Sequence, residues 1–251
     1  MLPTLQVGPL SLQVPGLVQL VGLWIGLTLS ERRARQHGEN PADIYNLVFI
    51  LLIAGLIGAR LVYAFTYSDA FQANPWSLVS INPGLMDPFA GALIAIAAGA
   101  IYIFRKQMNI WKTLDAITPL LAVMGIAVGI SHLASGTAFG RPTDFPIGIH
   151  LWGEQRHPTQ VYEIIMAALI LGAVFLVDRT RWSKVPGMIF LVFIGLTSFS
   201  RLLLEAFRGD SLLVGDGFRA AQLVAWIVLA VCLVLIAGRF KVSATFGETG
   251  V

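Results

Sequence analysis

Arg201, Glu205 and Arg208 are spaced i, i+4 and i+7, so a helix running through them would stack all three on one face. The stretch before them, 187–200, is apolar enough to sit in a bilayer, where charged groups are costly unless they meet partners, water or a ligand. Two guanidinium groups steadied by a carboxylate could grip phosphate oxygens in a bidentate fork. The same residues could instead form a structural ion-pair stripe whose arginines reach for the interface. Arg60 is isolated in sequence among Tyr63 and Tyr67, and pairing to Glu163 or Glu205 is as plausible for it as contact with a ligand. Further polar groups are Ser131 and His132, the run His157-Pro-Thr-Gln-Val-Tyr-Glu163 with Gln160 and Tyr162, Arg141 after Gly140, and Gln222. Without partners, His132 reads as an interfacial histidine, Arg141 as a solvated loop arginine and His157 as the flank of a helix.

Other chemistries find little support. The four histidines, at 37, 132, 150 and 157, show no HxxxH or HExxH spacing, so no metal site is expected. The single cysteine, Cys232, excludes an internal disulfide and reads as a small buried hydrophobe. There is no phosphate-binding P-loop and no serine nucleophile elbow.

These residues must be positioned by membrane spans. The chain of 251 residues is 56% hydrophobic and 12% charged, with a mean hydropathy of +0.76, whereas soluble domains carry about 25% charged residues. A net charge of +3 and a pI near 9.2 fit basic cytoplasmic loops of a membrane protein better than nucleic-acid binding. Seven apolar runs, at approximately 14–30, 45–67, 88–104, 114–134, 158–178, 186–208 and 219–238, have the roughly 17–25 residues that a spanning helix needs. The expected fold is therefore all-α, a polytopic protein of seven transmembrane helices forming a single membrane domain over 1–251. Eleven of the seventeen basic residues fall in 32–35, 105–112, 179–184 and the tail at Arg239 and Lys241. By the positive-inside rule those segments are cytoplasmic, the N-terminus is outside and the C-terminus inside. Met1 to Gln13 has no basic residue ahead of its apolar segment and no small-residue cleavage site, so no removable signal peptide is expected. The other side holds loop 68–87, with Asp69, Asn74-Pro75, Asn82-Pro83-Gly84 and Asp87, and loop 135–157, broken by Pro142, Pro146 and Pro158. Nearly every intramembrane polar group then lies in the outer half, which points to a site open to the outer leaflet.

Taken in order, these motifs resemble the prolipoprotein diacylglyceryl transferase family. The resemblance runs from Val7-Gly-Pro-Leu-Ser11 through Gly58-Ala-Arg-Leu61, Tyr63, Asn74-Pro75, Asp115, Pro119, Gly136 and Gly140-Arg141. It is clearest at Arg156-His-Pro-Thr-Gln-Val-Tyr-Glu163, at Arg201-x3-Glu205-x2-Arg208-x-Asp210 and at Gln222. It implies transfer of diacylglycerol from phosphatidylglycerol to the lipobox cysteine in the signal-peptide region of a prolipoprotein, with glycerol phosphate leaving and no metal or organic cofactor. The setting implied is the bacterial cytoplasmic membrane, with the site towards the outer face. The chain departs from the family pattern at Pro15 (tyrosine in the family), at Phe89-Ala-Gly91 (histidine and two glycines), at Gly129 (arginine), at His132 (asparagine) and at Thr137 (an acid). Two repairs are conceivable: His132 could take the role of base, since an imidazole suits proton transfer near neutrality, and Arg60 and Arg141 could supply the missing positive charge. The expected catalytic set is His132, Arg201 and Arg141, and the expected phospholipid ligands are Arg60, Arg141, Arg201 and Arg208. Glu205, His157, Gln160, Tyr162, Glu163, Gln222 and Gly140 support them. The alternatives are a catalytically silent paralogue that binds phospholipid or lipopeptide, and a small-solute transporter, which the nearly uncharged inner halves of the spans disfavour.

Overall fold

A computed structural model describes residues 3–8, 10–73, 75–79, 83–215 and 217–248. Pro9, Asn74 and Asn82, which belong to the motifs above, lie outside the described residues, and Lys241 is described in backbone only. In chain order the elements are β1 (Thr4–Val7), β2 (Leu10–Gln13), α1 (Val14–Gln36), α2 (Pro41–Thr66), α3 (Ser68–Ala73), α4 (Pro88–Arg105) and α5 (Ile110–Ser135). Then come β3 (Ile149–Leu151), β4 (Glu154–Arg156), α6 (Thr159–Asp178), α7 (Met188–Glu205), β5 (Leu213–Val214), β6 (Phe218–Arg219) and α8 (Ala220–Glu248). Seven of the helices, α1, α2, α4, α5, α6, α7 and residues 220–240 of α8, are long and apolar enough to cross a membrane. Apolar side chains stand exposed along them, among them Trp24, Leu176, Ile227 and Val234. A helix that is apolar on its outward face as well suits lipid.

The helical expectation holds, with three small additions. The loops carry antiparallel hairpins, β1–β2, β3–β4 and β5–β6, two of them inside segments that read as irregular because their strands are only two or three residues long. The sixth span needs correcting. Its apolar run suggests a helix to 208, but α7 ends at Glu205. Beyond it the backbone pairs with residues 139–141: Arg141 N–H donates to the Phe207 carbonyl (2.8 Å), Gly209 N–H donates to that of Phe139 (2.9 Å), and Arg208 forms an antiparallel bridge with Gly140. These bonds satisfy the groups that a continuing helix would have used.

The chain forms two compact units, one of residues 34–113 and one of residues 1–33 with 114–251. In the smaller unit α2 packs on α4 through small residues. A Cβ on Gly91 would lie 2.7 Å from that of Ala59, and one on Gly58 would meet Ile94 at 2.6 Å, so these helices meet backbone to backbone, as small residues allow in lipid. Asp87 caps α4, its carboxylate accepting from Ala90 N–H (2.9 Å).

In the larger unit α5 is the central element. α1 lies against it where Gly22 faces Ala127 and Gly26 faces Leu120. Pro119 lies inside the helix, where it offers no N–H to the ladder, and next to it Ser30 Oγ accepts from Leu120 N–H (3.1 Å). The core joins Ala122 of α5, Ile170 and Val174 of α6, and Ile189 and Phe193 of α7. At one end of α5 the Asp115 carboxylate accepts from Gly187 N–H (2.6 Å) and Phe190 N–H (2.9 Å), capping α7 from another helix. Arg33 donates to the Asp115 carbonyl (2.9 Å) and pairs with Asp178.

Candidate active site

α5, α6 and α7 enclose a cleft of about 340 Å³ in the larger unit. Its walls are apolar, including Met124, Gly125, Val128, Ala167 and Phe193, while His132, Glu163 and Arg201 also line it. The last of these comes from α7, one turn before Glu205. Arg201 Nε lies 3.0 Å from Glu205 Oε2, and its NH1 lies 3.8 Å from Glu163 Oε1. Glu205 is fully buried, and its Oε2 has no well-aligned hydrogen bond among the described residues. A buried carboxylate in that state depends on its charge contact with Arg201. Arg201 keeps 38% of its side chain accessible, against 11% for Arg208, so one edge of its fork stays open to the cleft.

Arg208, off the helix, serves two carboxylates. It grips Asp210 in a fork (Nε to Oδ1 and NH2 to Oδ2, both 2.9 Å), and its NH1 donates to Glu163 Oε1 at 2.7 Å. Burial opposes its charge, but the bond and charge of Asp210, then Glu163 and Glu205, more than offset that and hold the guanidinium above its ordinary pKa. The other oxygen of Glu163 meets His132 Nδ1 at 2.8 Å. Glu163 thus joins α5 to the segment beyond α7, a role its membership of a helix-start motif did not disclose.

Arg219, at the head of α8, is the site residue that the sequence reading passed over. It is buried and donates to the Arg208 carbonyl (3.3 Å) and to Ser211 Oγ (3.0 Å). Burial first, then the positive charge of Arg141, push its guanidinium below the ordinary pKa, with Glu205 opposing. Its place three residues before Gln222, on the expected outer side, was the available signal. Arg141 is exposed, and its side chain makes no hydrogen bond or ion pair among the described residues. Its backbone is fixed, because its carbonyl accepts from His157 N–H (3.0 Å) and its N–H is held by Phe207.

The supporting residues mostly build this corner. Gln160 donates to the Thr137 carbonyl (2.9 Å), and Thr159 donates to that of Ala138 (2.6 Å). The rings of His157 and Tyr162 both meet Phe207 edge-on, at 5.3 and 5.9 Å. Gln222 donates to the Leu202 carbonyl (3.2 Å), tying α8 to α7. Gly140 tolerates no side chain, since a Cβ there would lie 2.2 Å from the His157 carbonyl oxygen. Gly140→Ala is expected to break the pairing that carries Arg208 and to lower stability by about 1–3 kcal/mol, as overpacking does. Thermal unfolding of the detergent-solubilised protein checks this.

Arg60 belongs to the smaller unit. Its guanidinium donates to the carbonyls of Leu78 (3.1 Å), Leu85 (2.7 Å) and Ser77, and lies over the Phe71 ring. In place of a carboxylate partner it has backbone carbonyls: residues 77, 78 and 85 turn theirs onto a cation in the last two turns of α2, which satisfies those polar groups in return.

A family model for prolipoprotein diacylglyceryl transferase matches residues 3–238. The chain belongs to that family. Relatives include the phosphatidylglycerol–prolipoprotein diacylglyceryl transferase of Thermosynechococcus vestitus, 31% identical over 239 residues, covering 90% of this chain and 88% of the relative. Proteins of the same name from Synechococcus elongatus and Symbiobacterium thermophilum are 30% and 27% identical, covering 91% and 98% of this chain and 84% and 95% of the relatives. Together with the seven apolar helices, the family makes this a multi-pass membrane protein.

The departures from the family pattern have definite places. Phe89 is exposed in the first turn of α4. The carbonyl of Pro15 accepts from Ser131 Oγ (3.0 Å), and Thr137 Oγ1 meets Ser135 Oγ (2.8 Å). Gly129 lies on the cleft wall, where a Cβ would come within 2.9 Å of Ile164 Cγ1 and 3.3 Å of the Ile164 nitrogen. Ile164 follows Glu163, and His132 stands one turn after Gly129. The bare glycine lets α5 approach α6 closely, beside the His132–Glu163 pair.

Proposed function

We propose that the protein transfers diacylglycerol from phosphatidylglycerol to the cysteine thiol of a prolipoprotein lipobox, releasing glycerol phosphate. The reading rests above all on Arg201, a half-exposed guanidinium beside an apolar cleft. A phospholipid needs that combination: a cation for its phosphate and an apolar wall for a chain. The thiolate attacks the glyceryl carbon, the bond from that carbon to the phosphate oxygen breaks, and negative charge grows on the phosphate. A guanidinium already in place stabilises that charge without reorganising. Arg141 and Arg208 add positive charge around the same corner. The basic segments 32–35, 105–112 and 179–184 support a topology with the N-terminus outside, the C-terminus in the cytoplasm and the site at the outer face of the cytoplasmic membrane.

The test is transfer itself. Purified full-length protein in vesicles containing phosphatidylglycerol labelled in its diacylglycerol portion is mixed with a lipobox peptide. Label on the peptide's cysteine is the expected result, together with rescue of a strain depleted of its own transferase. The apolar Phe89 and the bare Gly129 favour a second reading, a relative that binds phospholipid without turnover. Labelled lipid that co-purifies but never reaches the cysteine would establish that reading instead.

A further inference from the structure

We infer that His132, oriented by Glu163, is the proton acceptor for the attacking thiol; this rests on the diacylglyceryl-transfer reading. A thiol is a poor nucleophile until it ionises, with an ordinary pKa of about 8.5, so a base beside the cleft is needed near neutral pH. Other titratable groups of the larger unit's polar corner are poorly placed for it. Glu163 is held by Arg208 and by His132 itself. Glu205 is buried against Arg201. His157 keeps its Nδ1 buried, and its ring packs against Phe207.

His132 has what the role requires. Its Nδ1 is engaged by Glu163 at 2.8 Å, which leaves Nε2 with no hydrogen-bond partner among the described residues. The ring lines the cleft together with Arg201 and is about one-third accessible. A carboxylate on Nδ1 fixes the tautomer that presents Nε2 as acceptor and stabilises the imidazolium once formed, as in an acid–histidine pair. The charged groups around the ring are Glu163 from α6, Arg201 and Glu205 from α7, and Arg208 beyond it. Arg208 and Arg201 temper Glu163, and among the described residues Glu163 is the group that bonds the imidazole.

The step balances. The thiol proton passes to Nε2, the sulfur forms a bond to the glyceryl carbon, and the bond from that carbon to the phosphate oxygen breaks with its electron pair staying on oxygen. The phosphodiester monoanion becomes a phosphomonoester dianion while neutral His132 becomes a cation. His132 then returns its proton to water or to the departing phosphate. Glu163 is a positioning residue in this scheme, and Gly129 is the space that lets α5 approach it.

The experiment uses the reconstituted full-length protein, phosphatidylglycerol vesicles, and two peptides that differ only in carrying cysteine or selenocysteine in the lipobox. His132→Asn is expected to lower kcat on the cysteine peptide about a hundredfold, within the range of general-base removal, with little change in KM for lipid. The selenol ionises at lower pH, so with the selenocysteine peptide the deficit is expected to shrink to within about tenfold. Glu163→Gln is expected to lower kcat on the cysteine peptide as well, with the deficit again smaller on the selenocysteine peptide, because the imidazole is no longer held with Nε2 towards the cleft. His132→Asn as active as wild type, or equally impaired on both peptides, overturns the base assignment and leaves the transfer reading standing. Absence of transfer by the wild type on both peptides overturns both.

Discussion

Arg201→Ala is expected to lower diacylglyceryl transfer by about a thousandfold or more, at the upper end of what loss of one preorganised donor costs. Two effects combine. The first is loss of the one guanidinium that, among the described residues, lines the cleft; the charge developing on the phosphate then meets Arg208, whose donors are already committed to Asp210 and Glu163. The second is that Glu205, fully buried, loses the cation 3.0 Å away; because Arg201 is itself partly exposed, the cost falls below the roughly 3–5 kcal/mol of stranding one partner of a fully buried pair. Two companion variants separate the effects. Arg201→Lys keeps a positive charge but not the planar fork, and is expected to recover stability more than rate, with transfer still down about tenfold to a hundredfold. Arg201→Ala combined with Glu205→Gln removes the stranded charge and is expected to restore thermal stability without restoring transfer. Initial rates with labelled phosphatidylglycerol and melting curves in detergent read the two quantities independently. A double variant that recovers both would make Arg201 a structural counter-ion and not a phosphate ligand.

The helices were legible because each is an apolar run of spanning length, a pattern that needs no knowledge of its neighbours. The same holds for the position of Arg201 one turn before Glu205. What could not be read was anything that depends on where separate segments meet. Glu163 draws His132 from 31 positions before it and Arg208 from 45 positions after it, and neither distance leaves a periodic trace. Arg208 had the right spacing for a helix face but left the helix, because pairing with residues 139–141 offered its backbone an alternative set of hydrogen bonds. Arg60 read either as the partner of an acid or as a ligand contact, and its guanidinium instead donates to three carbonyls of the segment that follows its helix. Gly129 read as the loss of an arginine. In three dimensions it is also a place where α6 comes so close that a Cβ would stand 2.9 Å from Ile164 Cγ1.

Asp115→Ala is expected to cost about 3 kcal/mol of stability, from two charge-assisted bonds at about 1.5 kcal/mol each, and to lower the yield of folded protein sharply. This exceeds the average of about 0.6 kcal/mol for a side-chain hydrogen bond between membrane helices, and the reason is local. The donors are Gly187 and Phe190 N–H at the start of α7, groups that no intrahelical carbonyl can serve. Water is not freely available in apolar surroundings to replace the carboxylate. Arg33, almost fully buried, would keep Asp178 and the carbonyl of residue 115, so the loss falls chiefly on the entry of α7. That helix carries Arg201 at its other end, and a change in its axial position reaches the cleft without any substitution there. Asp115→Asn keeps one carbonyl acceptor but turns an amide towards the second donor, so its loss is expected to be intermediate. Tryptophan-fluorescence melting of the wild type and both variants in detergent, alongside transfer rates at a temperature where each remains folded, provides the check. If Asp115→Ala melts like the wild type, the entry of α7 is held by packing of Met188 and Ile189 alone, and the cap is incidental.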